Sequence, residues 1–239
     1  MFIHGFNNNK MVSRPTLIVA LLLLLSACKS PAIMTETPEN SFSIQRLLIL
    51  PFRDMPMVYG MNENIRCPLC GKVIMTGKVA EGAAEFLTES LFTFLKNNSD
   101  LELVPTEQAE GILSDLLAGE KGSRSEHDLL VETGRALKAD AVLAGYIFRF
   151  RERVGTSYSV ESPASVAFDL HLIRVGDGRM LWSDHFDETQ KALSEDLYQL
   201  KKFIKRKASW ITAREMAQTG LEDMLRSFSG FGIRTENPK

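Results

Sequence analysis

The stretch RCPLCGK, residues 66–72, sets Cys67 and Cys70 two residues apart, with Pro68 between them and Gly71 behind. Thiols at this spacing close a short disulfide, supply half of a metal site or cycle as a redox dithiol. A structural zinc ribbon needs four ligands, usually from two such pairs. This chain has one pair, and His127, His171 and His185 lie far from it along the sequence. A haem attachment motif needs a histidine where Gly71 stands. A thioredoxin-type pair opens a helix inside a βαβ unit, whereas MPMVYGMNENIRCPLCGKVIMTG, residues 55–77, reads as a long loop. On these residues zinc requires two chains that each give two sulfurs.

Three further groups carry charge in patterns worth testing. Asp169 and His171 alternate on one strand face, and His185 with Asp187 alternate on the next strand. Together they fit a metal or acid–base site. Strand alternation already demands a polar outer face, which is the simpler reading. Arg149, Arg151 and Arg153 form a basic row in an acidic protein and are the candidate partner-binding residues. KKFIKRK, residues 201–207, has the composition of a helix C-terminus, where cations complement the dipole. No Gly-x-Ser-x-Gly, His-Glu-x-x-His or P-loop occurs, and Ser157, Ser159 and Ser162 have no basic partner nearby in sequence. No catalytic residue is assigned, and the chain reads as a non-enzyme.

The N-terminus states the compartment. Lys10 and Arg14 precede an apolar run from Leu17 to Leu25, which ends in Leu25-Ser26-Ala27-Cys28. This is the layout of a secretory signal. The run is about half the roughly 20 residues that span a bilayer. The last four residues resemble a bacterial lipobox, which implies diacylglycerol on the Cys28 sulfur, cleavage before Cys28 and an acyl chain, such as palmitate, on the new amine. Several chains anchor firmly, because each buried CH₂ contributes about 0.8 kcal/mol. Lys29 follows the cysteine, which by resemblance to other such lipoproteins favours the outer membrane. MFIHGFNNNK is unlike a signal n-region, so translation starts at Met1 or Met11. The mature chain carries 26 basic and 30 acidic residues, a balance that excludes a nucleic-acid binder by bulk charge. In an oxidising compartment a pair such as Cys67/Cys70 closes as a disulfide, so a clip that stiffens its loop is the preferred reading of the three.

Positioning elements follow from the pattern. Residues 29–43 are polar with Pro31 and Pro38, a tether of about 15 residues that spans roughly 20 Å as a coil. RLLILPF, residues 46–52, reads as a strand buried on both faces. Val79, Ala83, Phe86, Leu87, Leu91, Phe94 and Leu95 make one helical stripe. LELV, 101–104, is a short strand, Pro105 and Thr106 open a helix with Thr106 as its cap, and Ser125 with Asp128 caps the next. ADAVLAGYIFRFRER, 139–153, is a strand with Phe148 and Phe150 on one side and the arginines on the other. SVAFDLHLIRV, 165–175, turns inward Val166, Phe168, Leu170 and Leu172, and outward Asp169 and His171. Asp177-Gly178 turns the chain into RMLWSDHF. Two helices close the chain, one with Leu193, Leu197, Leu200 and Ile204 on a stripe, the other starting at Thr212. The fold class is α/β, a single mixed sheet covered by helices with a C-terminal helical pair.

LLILPFRDM, GKVAEGAAEFLTESLFTFL, LELVPTEQAEGIL, GRALKADAVLAGYIFRF and VAFDLHLIRVGDGRMLW follow one another in the order of the curli-secretion (CsgG-like) lipoprotein superfamily, which residues 46–187 resemble. Its marks are a strand ending in Pro-Phe, a GxxLxAD approach to a strand carrying Gly145, and a strand–Asp-Gly–strand–Trp hairpin. The same fold occurs in lipoprotein activators of penicillin-binding proteins and in some flagellar accessory lipoproteins.

The resemblance implies a lipoprotein signal at 1–27, a lipidated tether at 28–43, a CsgG-like α/β domain at 44–187 and a helical extension at 188–239. It implies an outer-membrane-anchored, periplasmic, non-catalytic protein that binds and regulates or assembles an envelope machine, in cell-wall synthesis or in secretion and surface-structure assembly. Its partners are the membrane, through the lipid on Cys28, and an envelope protein. Two alternatives stay open: a ring-forming homo-oligomeric channel subunit and a thiol–disulfide protein using Cys67 and Cys70. Channel members insert long β-hairpins, and VGTSYSVESPASV is too short and polar for one. No cofactor is expected beyond the lipid, with zinc between two chains the remaining variant.

Overall fold

The computed structural model describes residues 43–118, 125–156, 160–190 and 210–233. The signal, Cys28, nearly all of the tether, the stripe from Leu193 to Ile204 and KKFIKRK lie outside them.

The elements run β1 (Arg46–Ile49), β2 (Arg53–Asp54), α1 (Pro56–Tyr59), β3 (Asn64–Arg66), β4 (Val73–Met75), α2 (Ala83–Asn98), β5 (Glu102–Val104), α3 (Thr106–Ala118), α4 (Glu126–Ala136), β6 (Ala141–Arg151), β7 (Val154–Gly155), β8 (Val160–Ser162), β9 (Ser165–Arg174), β10 (Met180–Thr189) and α5 (Ala213–Ser227). One mixed sheet has the order β5-β1-β6-β9-β10. β1 runs parallel to β5 and β6, while β9 is antiparallel to β6 and β10. This is the α/β architecture that the pattern of strands and stripes predicts.

Helices α2 and α5 cover one face. Leu87, Leu91 and Leu95 meet Met216, Leu221 and Leu225 there, over Leu47, Ile49, Leu143, Phe168 and Leu170. Thr212 and Glu215 form a reciprocal capping box that starts α5. On the other face, α3 and α4 bury Leu48, Val104, Val142, Ala144 and Ile173 beneath Ala109, Leu130 and Val131. The Ser125 hydroxyl accepts the Asp128 N–H at the start of α4. α3 begins at Thr106 itself, one residue earlier than a Thr106 cap implies.

The motif residues hold elements together. Asp140 Oδ2 accepts the backbone N–H groups of Gln45 (2.9 Å) and Arg46 (2.8 Å), fixing the start of β1 against β6. Gly145 lets the Phe52 ring lie on the sheet, where a Cβ would come within 2.5 Å of ring carbon Cε1. Trp182 stacks on Phe228 at 5.6 Å and meets Phe231 edge-on at 5.7 Å. Gly178, with φ +70°, makes the hairpin turn.

Two sequence expectations change. The loop 55–77 is folded: it holds α1 and the antiparallel β3–β4 ribbon, which pairs Ile65 with Ile74. Residues of this region leave and rejoin the same edge of β6. Met55 N–H donates to Ile147 O (2.9 Å), and Gly77 N–H donates to Phe148 O (2.9 Å). Between these points the ribbon folds over the sheet face beside α4. The second change is a bulge in β6, where Ile147 pairs with Phe168 and Arg149 with Ala167, leaving Phe148 as the extra residue. Alternation already carries Tyr146 and Phe148 into the cluster with Ile65, Cys67 and Ile74, and the bulge sends Phe150 to the opposite core. The two rings therefore lie on opposite faces, not on the same one.

Candidate metal centre

The ribbon is registered by alternation. Ile65 and Ile74 point into the sheet and pack with Met55, Tyr146, Phe148 and Ala167. At its base Thr76 is buried, donating to Gly60 O (2.8 Å) and accepting from Glu63 N (2.9 Å). Its tip is the cysteine turn. Cys67 N–H donates to Lys72 O (2.8 Å) and Gly71 N–H to Cys67 O (2.9 Å). Gly71 has φ +73°, a conformation that suits the residue type found there. The N–H groups of Leu69 and Cys70 point at the Cys67 sulfur.

This tip lands on β9. Cys67 Sγ lies 3.4 Å from His171 Nε2, and His171 Nδ1 lies 3.6 Å from Asp169 Oδ1. Donor atoms of Cys67, Cys70, Asp169 and His171 all fall within 4.8 Å of one another. Cys70 is exposed and the other three are buried. Among the described residues, both cysteines are free thiols.

Asp169 and His171 were expected on a solvated outer face. The period-2 alternation places them on the face away from Phe168 and Leu170, as expected, but the ribbon covers that face and both side chains are almost fully buried. Among the described residues no hydrogen bond of ordinary geometry reaches either Asp169 oxygen or His171 Nδ1, although the Cys67 thiol and the Tyr146 N–H lie near the carboxylate and the Ala144 carbonyl near the ring. Burial pushes the Asp169 carboxyl up to about 7, against the opposing pull of the Cys67 thiol and the Lys72 charge. Burial pushes His171 down to about 4, against the Ala144 carbonyl beside the ring. Burial, reinforced by Asp169, pushes the Cys67 thiol far up. A redox nucleophile needs the opposite shift, and the pair does not open a helix.

Around the cluster the packing is firm. The Tyr146 ring lies 5.6 Å from that of His171. Its hydroxyl donates to Glu126 Oε1 (2.7 Å), which also accepts from Arg53 (2.8 Å). Burial, with Glu126 next, pushes the Tyr146 phenol up. Lys72 reaches over the cluster and contacts His185.

The remaining sequence candidates fall elsewhere. His185 pairs with Asp169 across the strands but is exposed. Asp187 pairs with Arg149. Arg149 also donates to Ser165 Oγ (2.6 Å) and Met75 O (3.3 Å), so it ties the ribbon to the sheet and is mostly covered. Arg151 is exposed at the strand end, and Arg153 donates to Gly155 O (2.8 Å). His127 contacts the Gly178 carbonyl, in the hairpin turn after β9. The pairing of Cys67 and Cys70 with Asp169 and His171 was missed in sequence, although both halves were noticed separately. The usable signal was a Cys-x-x-Cys turn in a chain whose strand carries Asp-x-His.

Among the described residues no helix is long and apolar enough to cross a membrane. No family model and no curated protein matches the sequence. Solved structures do. The PelC dodecamer from Paraburkholderia phytofirmans aligns at 13% identity over 80% of this chain and 89% of that one, with a TM-score of 0.43. The LpoB C-terminal domain from Escherichia coli aligns at 19% identity over 62% and 85%, with a TM-score of 0.37. Lipoprotein GNA1162 from Neisseria meningitidis aligns at 10% identity over 68% and 93%, with a TM-score of 0.39. These three are solved structures to which the chain is similar over most of its length. At these identities the similarity is a likeness of fold.

Proposed function

We propose that the chain is an outer-membrane-anchored periplasmic lipoprotein, without catalysis, that docks an envelope protein on the face formed by α1 and the β3–β4 ribbon. The observation that carries this reading is the exposure of Met57, Val58, Tyr59, Met61, Val73 and Met75 on one stretch of chain. Val73 and Met75 occupy the outward positions of β4, opposite the polar Asn64 and Arg66 of β3, while Ile65 and Ile74 face inward. A strand serving only its own domain carries polar residues on its outer side, as β3 does and β4 does not. Methionine and tyrosine are the side chains of adaptable, contact-making surfaces.

The lipobox at Cys28 supports the location, and the polar tether supports reach from the membrane. The basic row is a weaker docking surface than its sequence implies, because Arg149 is occupied within the domain. A photo-crosslinking residue at Val73 in cells, with a control at Glu222 on α5, tests the reading. The proposal expects one discrete adduct at Val73 with a periplasmic or envelope protein, identified by mass spectrometry and missing at the control. Adducts only with itself, in one closed stoichiometry, would move the function to the ring-forming alternative. Equal adducts at both positions would overturn it.

A further inference from the structure

We propose that Cys67, Cys70, Asp169 and His171 bind one zinc ion within a single chain, and that the ion fastens the ribbon tip to β9. The donor set is two sulfurs, one imidazole and one carboxylate, all of which zinc accepts in four-coordinate sites. A tetrahedron built from zinc–sulfur bonds of about 2.3 Å and zinc–nitrogen or –oxygen bonds of about 2.0–2.1 Å has edges of about 3.3–3.8 Å. The Cys67–His171 separation of 3.4 Å already lies in that range. The bound of 4.8 Å on every other pair is closed by small side-chain rotations.

Four observations favour an ion over a disulfide. First, a Cys67–Cys70 bond would leave the buried Asp169 carboxylate, to which no described residue gives a hydrogen bond of ordinary geometry, facing a neutral sulfur pair. Second, the turn is shaped for a thiolate, with two backbone N–H groups aimed at the Cys67 sulfur. Third, charge balances: two thiolates, one carboxylate and Zn²⁺ sum to a single negative charge, and Lys72 acts on Asp169 from above. Fourth, a supporting layer is present. Tyr146 packs on the histidine, and the Ala144 carbonyl lies beside its ring, which is how outer partners orient metal-bound imidazoles.

Binding releases a proton from each thiol. Four protein ligands leave no open position for a reacting water, so the centre is structural. Cys70, exposed at the surface, gives the ion its way in. The ligands come from a short ribbon and from a strand about a hundred residues later, so the ion joins segments that share little else in sequence. The same ribbon presents Val73 and Met75, so the ion also fixes the outward face. The centre stands on the ribbon and the sheet alone, whichever partner that face meets.

The test is metal content. The full-length lipidated chain, isolated in non-ionic detergent without chelator, is analysed by plasma mass spectrometry beside Cys70→Ser and His171→Ala. One zinc per chain is expected, with less than a tenth of that in either variant. Cys70 is exposed, so its serine variant keeps the fold, checked by circular dichroism. Cobalt(II) substitution gives a second readout. The expected spectrum has tetrahedral d–d bands and a thiolate-to-cobalt band, both lost in Cys70→Ser at the cobalt concentration that saturates the unmodified chain. Asp169→Asn is expected to lower zinc affinity by more than the roughly 10–100-fold that an outer partner costs. A smaller loss would overturn the four-ligand set. A metal-free chain carrying the Cys67–Cys70 disulfide would overturn the proposal. So would half a zinc per chain with an all-sulfur spectrum, or zinc retained in both variants.

Discussion

Replacing Met57 and Met75 together by glutamine separates the ribbon's two duties. Met57 is 85% exposed and Met75 52%. Full burial of a methionine contributes about 1.5–3 kcal/mol, so a partner that covers both gains about 2–4 kcal/mol from the portions now in water. At 1.4 kcal/mol per factor of ten, their loss weakens docking by roughly 30- to 700-fold. The fold hardly notices, because surface changes away from special features stay within about 0.5 kcal/mol. Two measurements read this out. Urea unfolding of the isolated chain is expected to give an unchanged midpoint. Photo-crosslinking from Val73, at sub-saturating expression, is expected to lose at least nine-tenths of its adduct. An unchanged adduct yield would refute docking through this face. A large fall in stability would show that the methionines serve the domain and not a partner.

Three further outcomes follow from the same geometry. Gly145→Ala puts a methyl against the Phe52 ring and is expected to destabilise by about 1–3 kcal/mol; Phe52→Leu in the same chain is expected to recover part of that, and additive losses in a double-mutant cycle would refute the clash. Asp140→Ala strands the N–H groups of Gln45 and Arg46, and is expected to cost about 1–3 kcal/mol in urea unfolding, where a change below half a unit would show that water replaces the carboxylate. Arg174, hydrogen-bonded to Asp177, holds that carboxyl below its ordinary 3.8; this contribution is present above pH 3.8 and is lost as pH falls through the lower folded value, so NMR titration is expected to place the Asp177 midpoint below 3.8 and Arg174→Gln to raise it.

Much of the frame is written in local pattern. The apolar run at 46–52 yields a strand buried on both faces. The stripe from Ala213 to Leu225 packs as its spacing predicts, and Asp177-Gly178 makes the turn. The GxxLxAD motif reduces to two physical tasks: Gly134 lies against Val142 and Val175, and Asp140 caps β1. What stayed hidden depends on contacts between distant segments. Alternation says that Asp169 and His171 share a face, but not that a ribbon will cover it. No spacing rule links Cys67 to His171, because the link is made by the ribbon's return to β6 at Gly77. The bulge between Ile147 and Arg149 falls where Phe148-Arg149-Phe150-Arg151 reads as clean alternation, so the sequence offers no mark of it.

X-ray absorption at the zinc edge, on the full-length chain as isolated, tests the central claim most directly. An intrachain centre predicts two sulfurs at about 2.3 Å and two nitrogen or oxygen neighbours at about 2.0–2.1 Å, with one zinc per chain. Four sulfurs at half a zinc per chain, or no zinc and a closed disulfide, would contradict it.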